Sequence, residues 1–186
     1  MTNSYFNDQF LIAMPTLADP NFFHAVTYIC EHTAAGAFGL VVNRPLDLTL
    51  AEVAAQMTLA TPRQDLAITT TYGGGPVGAE RGFVVHEPIG EWSGTLRVNE
   101  RIGVTSSRDI VEAICRGEGP TRFLVVIGYA GWGAGQLEQE LIDNAWITMP
   151  SSSAILFDTP AEKRWEAAAS SIGIDLNRMS TDIGHG

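Results

Sequence analysis

Short apolar runs bounded by turn residues recur along the chain and predict a fold with more strands than helices. The runs Phe10–Met14, Val26–His32 and Ala37–Asn43 have the length and composition of strands. Thr33–Gly36 supplies turn residues between the last two runs, so residues 24–43 are predicted to form a β-hairpin. Further strands are predicted at Ala67–Tyr72, Gly82–His86, Leu96–Val98, Ile102–Thr105, Arg122–Tyr129, Trp146–Met149 and Ala154–Phe157.

Four segments combine helix start signals with apolar positions at helical spacing. The clearest signal is a capping box of Thr49 and Glu52, in which each side chain accepts a hydrogen bond from the backbone N–H of the other residue. The predicted helices are one that begins at Leu50, Ile110–Arg116 capped by Ser106 and Gly117, Gln136–Asn144, and one introduced by Thr159, Pro160 and Glu162 and ended by Gly173.

The order of these elements predicts one α+β domain over residues 1–186. Arg122–Tyr129 is continuously apolar, as expected of a strand covered on both faces. Several hairpins, together with one strand–helix–strand unit over residues 122–149, predict a mixed sheet and not a purely parallel one. The polar tail 175–186 and about residues 1–8 are expected to be loosely ordered.

Acidic residues outnumber basic ones along this chain. Its 186 residues include 21 acidic and 11 basic side chains, a formal charge of −10, and 45% of them are hydrophobic. A domain of this size forms a core without disulfides or metal. No basic residue occurs in residues 1–43 or 123–162. Because phosphate contacts need a clustered basic surface, direct binding of nucleic acid is not expected, and a basic protein partner is one alternative.

Two further features predict a cytoplasmic location. The first ten residues contain no Lys or Arg, and no secretory signal is recognisable. The longest apolar runs, such as Phe123–Ile127, fall far short of the roughly 20 residues that span a bilayer, so no membrane association is expected. Cys30 and Cys115 are far apart in the sequence and are predicted to be buried, reduced thiols.

The glycine-rich segment Gly128–Gly135 joins a predicted buried strand to a helix. A turn of this kind points backbone N–H groups and a helix N-terminus at one place, which suits an anion. The segment lacks the Lys and Ser/Thr of a phosphate loop, and Gln136 stands where a dinucleotide fingerprint has its third glycine. Two interpretations stay open: close backbone packing around Tyr129 and Trp132, or binding of an anion.

Two other segments are candidates for the same kind of site. Gly73–Gly75 follows a predicted strand and permits either a sharp turn or a ligand lying against bare backbone. Asn43–Arg44 places a guanidinium at a strand end, where it suits a carboxylate or phosphate ligand or a salt bridge to a neighbouring acid. The predicted ligand-binding residues are Asn43, Arg44, Gly73, Gly74, Gly75, Tyr129, Trp132, Gly133 and Gln136, with a small anionic ligand or a protein as the partner.

Patterns typical of catalysis and metal binding are weak in this sequence. Cys30 and His32 share one face of a predicted strand, but a catalytic pair is usually assembled from distant segments. Ser151–Ser153 lacks the GxSxG nucleophile elbow. The histidines show no metal-ligand spacing. No catalytic residue, metal site or cofactor is therefore predicted.

Several sequence blocks occur in a distinctive order between about residue 10 and residue 160. They are Phe10–Pro15, Asp19–Phe22, Gly39–Pro45, Tyr72–Val77, Gly82–His86, Gly128–Leu137, Glu138 with Glu140, and Asn144–Trp146. Together these blocks resemble the bacterial YqgE/AlgH family. The resemblance implies a cytosolic α+β protein with a mixed, partly barrel-like sheet surrounded by helices. It also implies a transcriptional-regulator role tied to exopolysaccharide (alginate) production in the AlgH branch, and it supplies no catalytic residues.

Three functional hypotheses are consistent with these observations. The first is a non-enzymatic regulatory or ligand-binding domain whose groove lies near Arg44 and the two glycine-rich turns. The second is a small hydrolase or redox enzyme in which Cys30, His86 or Ser151–Ser153 are brought together by folding. The third is a structural protein-interaction module with an acidic face. The base-free spans favour indirect regulation, through a protein partner or a metabolite, over direct contact with DNA.

Overall fold

The computed structural model describes residues 5–15, 17, 19–60 and 63–175; of the expected loose termini, residues 1–4 and 176–186 lie outside this part of the chain. The described strands are β1 (Gln9–Ala13), β2 (Val26–Thr33), β3 (Gly36–Val41), β4 (Pro45–Thr49), β5 (Thr70–Gly73), β6 (Val77–Glu87), β7 (Thr95–Arg97), β8 (Gly103–Thr105), β9 (Arg122–Gly133) and β10 (Trp146–Pro150). The described α-helices are α1 (Leu50–Gln56), α2 (Arg108–Arg116), α3 (Gln136–Ile142) and α4 (Arg164–Ser171).

The strands form one curled sheet that is mostly antiparallel. Its order is β10-β1-β2-β3-β9-β6-β8-β7, with β9 at the centre because it pairs with both β3 and β6. β5 also pairs with β9, in parallel, with Tyr72 opposite Val126, and β4 pairs with β5. The parallel pair makes the sheet mixed, and the sheet is curled into a half-barrel with helices packed on it. The predicted α+β class with a partly barrel-like sheet is therefore confirmed.

Alternate residues of β6 and β9 face two different apolar layers. Val85 and Val126 belong to the layer that α4 covers. Val84 and Val125 point to the opposite face, where they pack with residues of α1 and α2. A third layer, which includes Leu137 of α3, covers part of β1, β2, β3 and β9. The period-two alternation of these strands thus places α1 and α2 on the face opposite to α4.

The hairpin over residues 24–43 and the capping box at the start of α1 are confirmed. The predicted strand Ala154–Phe157 is wrong, because residues Ala154–Asp158 form a π-helical turn. In this turn the N–H of Thr159 donates to the carbonyl of Ala154, five residues back. Hydrophobic periodicity does not separate a short buried strand from a buried helical turn.

The helix predicted to follow Thr159 begins at a later residue than expected. Pro160 has an extended backbone with ψ 142°, one 3₁₀ turn follows at Ala161–Lys163, and α4 begins at Arg164. The buried Arg164 side chain donates to the carbonyls of Thr159 and Val42 and so fixes the chain before the helix. A tertiary contact therefore decides where this helix begins.

Two other element ends differ from the prediction. The N-cap of α2 is Ser107 and not Ser106, while Gly117 ends the helix with φ 78° as predicted. The strand predicted from Ala67 begins only at Thr70, because Gln64–Ala67 forms a 3₁₀ turn.

Candidate functional site

The Gly73–Gly75 turn is a place where two backbones touch. A Cβ atom on Gly74 would lie 2.3 Å from the carbonyl oxygen of Gly128, and one on Gly75 would lie 2.2 Å from that of Tyr129. Gly75 also has φ 152°, a conformation that side chains rarely permit. The absence of side chains therefore lets the end of β5 pack directly against β9.

Asn43 and Arg44 brace a loop formed by residues 20–26. Asn43 donates from Nδ2 to the carbonyl of His24 and accepts a backbone N–H bond of the same loop at Oδ1, both at 2.9 Å. Arg44 donates through Nη1 and Nη2 to two loop carbonyls, at 3.0 and 2.8 Å. The carbonyl of Arg44 in turn accepts from the N–H of Gly73. Burial lowers the pKa of Arg44.

A cavity of about 280 Å³ opens beside this loop, and we call it the Arg44 cavity. In it the ring of His24 is stacked between Phe23 and Trp165, with centroids 3.9 Å apart on each side. Burial lowers the pKa of His24. Arg44 shares this lining with Glu162 and Glu166, so the cavity presents charges of both signs.

Tyr129 belongs to an aromatic group at the middle of the sheet. Its ring centroid lies 5.5 Å from that of Phe38 and 6.0 Å from that of Phe83. The guanidinium of Arg81 lies 5.7 Å from the same Tyr129 ring, a cation–π distance. These contacts give the Tyr129 ring a packing role.

Trp132, Gly133 and Gln136 form a separate group around Glu140. Glu140 Oε1 accepts the indole N–H bonds of Trp132 and Trp146, at 3.1 and 3.0 Å, and Oε2 accepts from Gln136 Nε2. The Gln136 side chain also accepts from the N–H of Gly133. No sequence pattern predicts this role for Glu140; the only available signal is that the acid lies between the blocks that contain Trp132 and Trp146.

The predicted binding residues therefore lie near one another in the structure, but they do not line one common groove. Backbone hydrogen bonds and contacts connect Arg44, Gly73–Gly75 and Tyr129, whereas Trp132–Gln136 lies further along the chain. The described lining of the Arg44 cavity contains none of these glycines and not Tyr129. The glycines have a packing role in the structure, and ligand binding by this set stays a prediction.

The groups considered as catalysts lie in separate surroundings. Cys30 is buried, its Sγ donates to a backbone carbonyl at 3.6 Å, and burial raises the pKa of its thiol. Ser151 donates to Asp8 at 2.6 Å, and His32 contacts Glu138 through Nε2. Among the described residues, no hydrogen bond joins Cys30 or Ser151 to a histidine. The same part of the chain contains no cluster of three or more His, Cys, Asp or Glu residues suited to a metal ion.

A second cavity, of about 600 Å³, lies between α1 and α2 over β6 and β9, and we call it the inter-helix cavity. Ligand pockets typically have volumes of about 300–1,000 Å³. Much of its lining is apolar and includes Leu48, Val53, Met57, Val84, Val111 and Ile127. The space is thus large enough for a small molecule and lined as such sites usually are.

Gly82 contributes to this space by having no side chain. It lies on the same face of β6 as Val84, and a Cβ atom there would meet only the Ile127 side chain, at an ordinary 3.7 Å. A glycine inside a strand often marks a bulge or the close approach of a ligand. The register of β6 does shift between Val77 and Gly82. Gly82 is also the first residue of a strand predicted from the sequence, and the glycine itself is the available sequence signal for the cavity.

The wall of the inter-helix cavity includes a buried polar chain. Thr105 Oγ1 lies 2.7 Å from His86 Nε2, and His86 Nδ1 lies 2.9 Å from the carbonyl of Pro88. Burial lowers the pKa of His86, and the hydrogen bond to Pro88 acts in the opposite direction. The Thr105 hydroxyl also lies 2.7 Å from Thr95 Oγ1, so His86 supports the cavity wall through a buried chain of hydrogen bonds.

Among the residues that the structure describes, two charged side chains line the inter-helix cavity, Arg108 and Glu80. Arg108 donates from Nε to Glu112 at 2.8 Å, and within the described ranges its two Nη atoms have no hydrogen-bond partner. Ser106 and Ser107 lie beside it in the same lining. The cavity thus combines an apolar interior with a guanidinium that keeps free donors.

Comparison with known proteins gives a consistent set of matches. The AlgH-like family profile matches residues 10–177. The UPF0301 protein of Nitrosococcus oceani is 50% identical over 184 residues, which are 99% of this chain and 98% of that protein. The UPF0301 protein of Thioalkalivibrio sulfidiphilus is 55% identical over 183 residues, which are 98% of each chain.

Solved structures show the same fold. The solution structure of the AlgH protein from Pseudomonas aeruginosa aligns with a TM-score of 0.81 and 47% identity, over 97% of each chain. Protein DIP2367 from Corynebacterium diphtheriae aligns with a TM-score of 0.75 over 95% of this chain and 92% of that one. Because the sequences are only 18% identical, the similarity to DIP2367 shows a shared fold and nothing more. No described helix of the present chain is long and apolar enough to cross a membrane.

Proposed function

The chain belongs to the AlgH-like family, and from this premise and the geometry of its cavities we propose that it is a non-enzymatic, cytoplasmic binding domain for a small molecule. The inter-helix cavity is the proposed binding site. One observation carries the proposal: a largely apolar cavity of about 600 Å³, part of which is left open by the strand residue Gly82.

The described contacts of the reactive side chains support a binding role over an enzymatic one. Cys30 is buried without a histidine partner among its described hydrogen bonds, and Ser151 is bonded to Asp8. Neither residue lines the inter-helix cavity. A hydrolase that works by covalent catalysis needs a nucleophile with a base within hydrogen-bond reach of it. The hydrolase or redox alternative therefore has less structural support.

The Arg44 cavity is a second candidate for the small anionic ligand. Arg44 supplies a guanidinium, but two of its donors already bind loop carbonyls, and Glu162 and Glu166 oppose an anion there. The inter-helix cavity is larger, and its Arg108 keeps both Nη atoms free within the described residues. These differences favour the inter-helix cavity as the principal site.

Any regulatory role would then be indirect, through a bound ligand or a protein partner. The two arginines of α2, Arg108 and Arg116, lie at opposite ends of the helix, and each is paired with a glutamate, so they do not form the clustered basic surface that a nucleic acid needs. The chain carries a formal charge of −10, which disfavours contact with phosphates. In a gel-shift assay at physiological salt, duplex DNA is expected to show no retarded band. A band competed only by a specific sequence would contradict this proposal.

The experiment that tests the site uses the fluorescent probe anilinonaphthalene sulfonate. Gly82→Val should place a branched side chain at the floor of the inter-helix cavity and weaken binding of the probe about tenfold, since the probe loses the space beside Gly82. Gly131→Val is the matched control: Gly131 is also in a strand, and its added Cβ would meet only the Tyr129 ring at 3.7 Å. If Gly82→Val binds the probe as tightly as the wild type, the proposed site is wrong.

A further inference from the structure

We infer that the ligand of the inter-helix cavity is an amphiphile with an apolar body and an anionic head group, of the class of medium-chain carboxylates. This inference rests on the proposed function, because it names the chemistry that the proposed site would select. Three features of the cavity carry it: the apolar interior, the two Nη atoms of Arg108 that have no partner among the described residues, and the acid Glu80 in the same lining.

The interior of the cavity selects an apolar body. Val84 and Ile127 form part of the sheet surface beneath the cavity, Val53 and Met57 contribute from α1, and Val111 contributes from α2. Apolar surface that leaves water to contact these side chains contributes favourably in proportion to its area. Against these apolar side chains, a hydrophilic ligand of the same size would lose hydration that they cannot replace by hydrogen bonds.

The head group is assigned to the side chain of Arg108. Its Nε–H is used by Glu112, which leaves the two Nη atoms as a planar pair of donors. Such a pair matches the two oxygens of a carboxylate in geometry as well as in charge. Ser106 lies in the same lining and adds a hydroxyl near this end of the cavity.

The N-terminus of α2 does not supply the anion site. Asp109 lies in the first turn and accepts hydrogen bonds from the Ser107 hydroxyl and, at 2.9 Å, from the backbone N–H of Ser93. The bond from Ser107 is the main cause that lowers the pKa of Asp109, and the bond from Ser93 acts in the same direction. The carboxylate of Asp109 already lies at that helix end. We therefore assign the contact with an external anion to the Arg108 side chain and not to the helix N-terminus.

Glu80 sets a measurable limit on the affinity for an anion. It lines the same cavity and repels a carboxylate, whereas its sequence neighbour Arg81 is directed to the rings of Phe83 and Tyr129. Removing the charge of Glu80 should therefore strengthen binding of an anionic ligand. Removing the charge of Arg108 should weaken it. The two variants thus have opposite expected effects at one site.

Isothermal titration calorimetry with three amphiphiles of equal chain length tests this inference. Decanoate, decanol and decylamine are titrated below the concentrations at which they form micelles, near neutral pH. Wild-type protein is expected to bind decanoate about fivefold more tightly than decanol, the effect of one partly exposed charge pair, and decylamine least tightly. Arg108→Gln should remove the preference, and Glu80→Gln should increase it. Arg116→Gln, at the other end of α2 and also paired with a glutamate, is the matched control.

The outcomes separate this inference from the function on which it rests. If Gly82→Val abolishes binding of all three amphiphiles but decanol equals decanoate in the wild type, the head-group assignment is wrong and the binding site stands. If decylamine binds most tightly, Glu80 and not Arg108 selects the ligand, and the inference is overturned. If Gly82→Val binds all three as the wild type does, or if the wild type binds none, the proposed function itself fails.

Discussion

Gly75 and Gly82 lie on either side of the start of β6, yet the structure uses them in opposite ways. An added Cβ atom on Gly75 would lie 2.2 Å from a backbone oxygen of β9, whereas one on Gly82 would meet nothing closer than a side chain at 3.7 Å. At Gly75 the missing side chain lets two backbones touch. At Gly82 it leaves part of a cavity open.

This difference separates the glycines that build the fold from the one that shapes a site. Gly73–Gly75 and Gly128 attract attention in the sequence because they occur in runs, and in the structure Gly74, Gly75 and Gly128 lie in close backbone contacts. Gly82 is a single glycine inside a strand. The number of glycines in a segment therefore says little about ligand binding, and the space beside each Cβ position says more.

The largest expected effect is a loss of folding stability when a methyl group is added at Gly75. Gly75→Ala should lower the free energy of unfolding by about 4 kcal/mol or more, because the methyl group would overlap the carbonyl of Tyr129 at a residue with φ 152°. Urea denaturation measures the change. Gly131→Ala is the control and should stay within about 0.5 kcal/mol of the wild type. A Gly75→Ala protein of wild-type stability would contradict the packing role.

A smaller loss is expected where polar contacts hold the end of β9. Glu140→Ala would leave the indole N–H groups of Trp132 and Trp146 without their acceptor, at a cost of about 2–3 kcal/mol. Glu140→Gln keeps an oxygen acceptor and should lose less. Thermal unfolding of the wild type and the two variants gives the order of their stabilities. Equal stability of Glu140→Ala and the wild type would show that these bonds have no net effect.

The pH dependence of stability should report on the wall of the inter-helix cavity. Burial lowers the pKa of His86 from 6.5, so the folded state binds fewer protons than the unfolded state below that pH. The free energy of unfolding should therefore fall as the pH drops from about 7 to about 5, by at most about 1.4 kcal/mol per pH unit for one proton. His24, whose pKa burial also lowers, should add to this slope.

Chemical denaturation at a series of pH values checks the contribution of His86. His86→Gln cannot take up the proton, so its stability should depend less steeply on pH than that of the wild type. An unchanged slope would contradict the assignment of this titration to His86.

The smallest expected effect on stability comes from a side chain placed in the open space at Gly82. Gly82→Val should change the free energy of unfolding by no more than about 1 kcal/mol, because the new side chain enters open space and valine favours strands. Urea denaturation measures this change beside the loss of probe binding. A destabilisation as large as that of Gly75→Ala would show that the space at Gly82 is not open, and the comparison of the two glycines would fail.

Local sequence signals predicted the parts of the fold that depend on neighbouring residues. The Thr49–Glu52 capping box and the hairpin over residues 24–43 follow from short-range hydrogen bonds and turn chemistry. The start of α4 did not follow from the sequence, because Arg164 reaches the carbonyl of Val42, which is distant in the chain. A local pattern contains no information about such a contact.

The candidate site was harder to predict than the fold for the same reason. Arg44 was predicted as a ligand contact from its place at a strand end, and in the structure its side chain braces a loop through two carbonyls. The inter-helix cavity is assembled from α1, α2, β6 and β9, which no local pattern brings together. Only Gly82 carried a sequence signal for it, and a lone glycine in a strand has several explanations.

Amide NMR spectra of isotope-labelled protein during titration with anilinonaphthalene sulfonate test the central claim most directly. The account predicts that the largest shifts fall on Gly82, Val84, Met57 and Val111, and that they disappear in Gly82→Val while persisting in Gly131→Val. Shifts centred instead on His24, Arg44 and Trp165 would place the ligand in the Arg44 cavity and contradict the account.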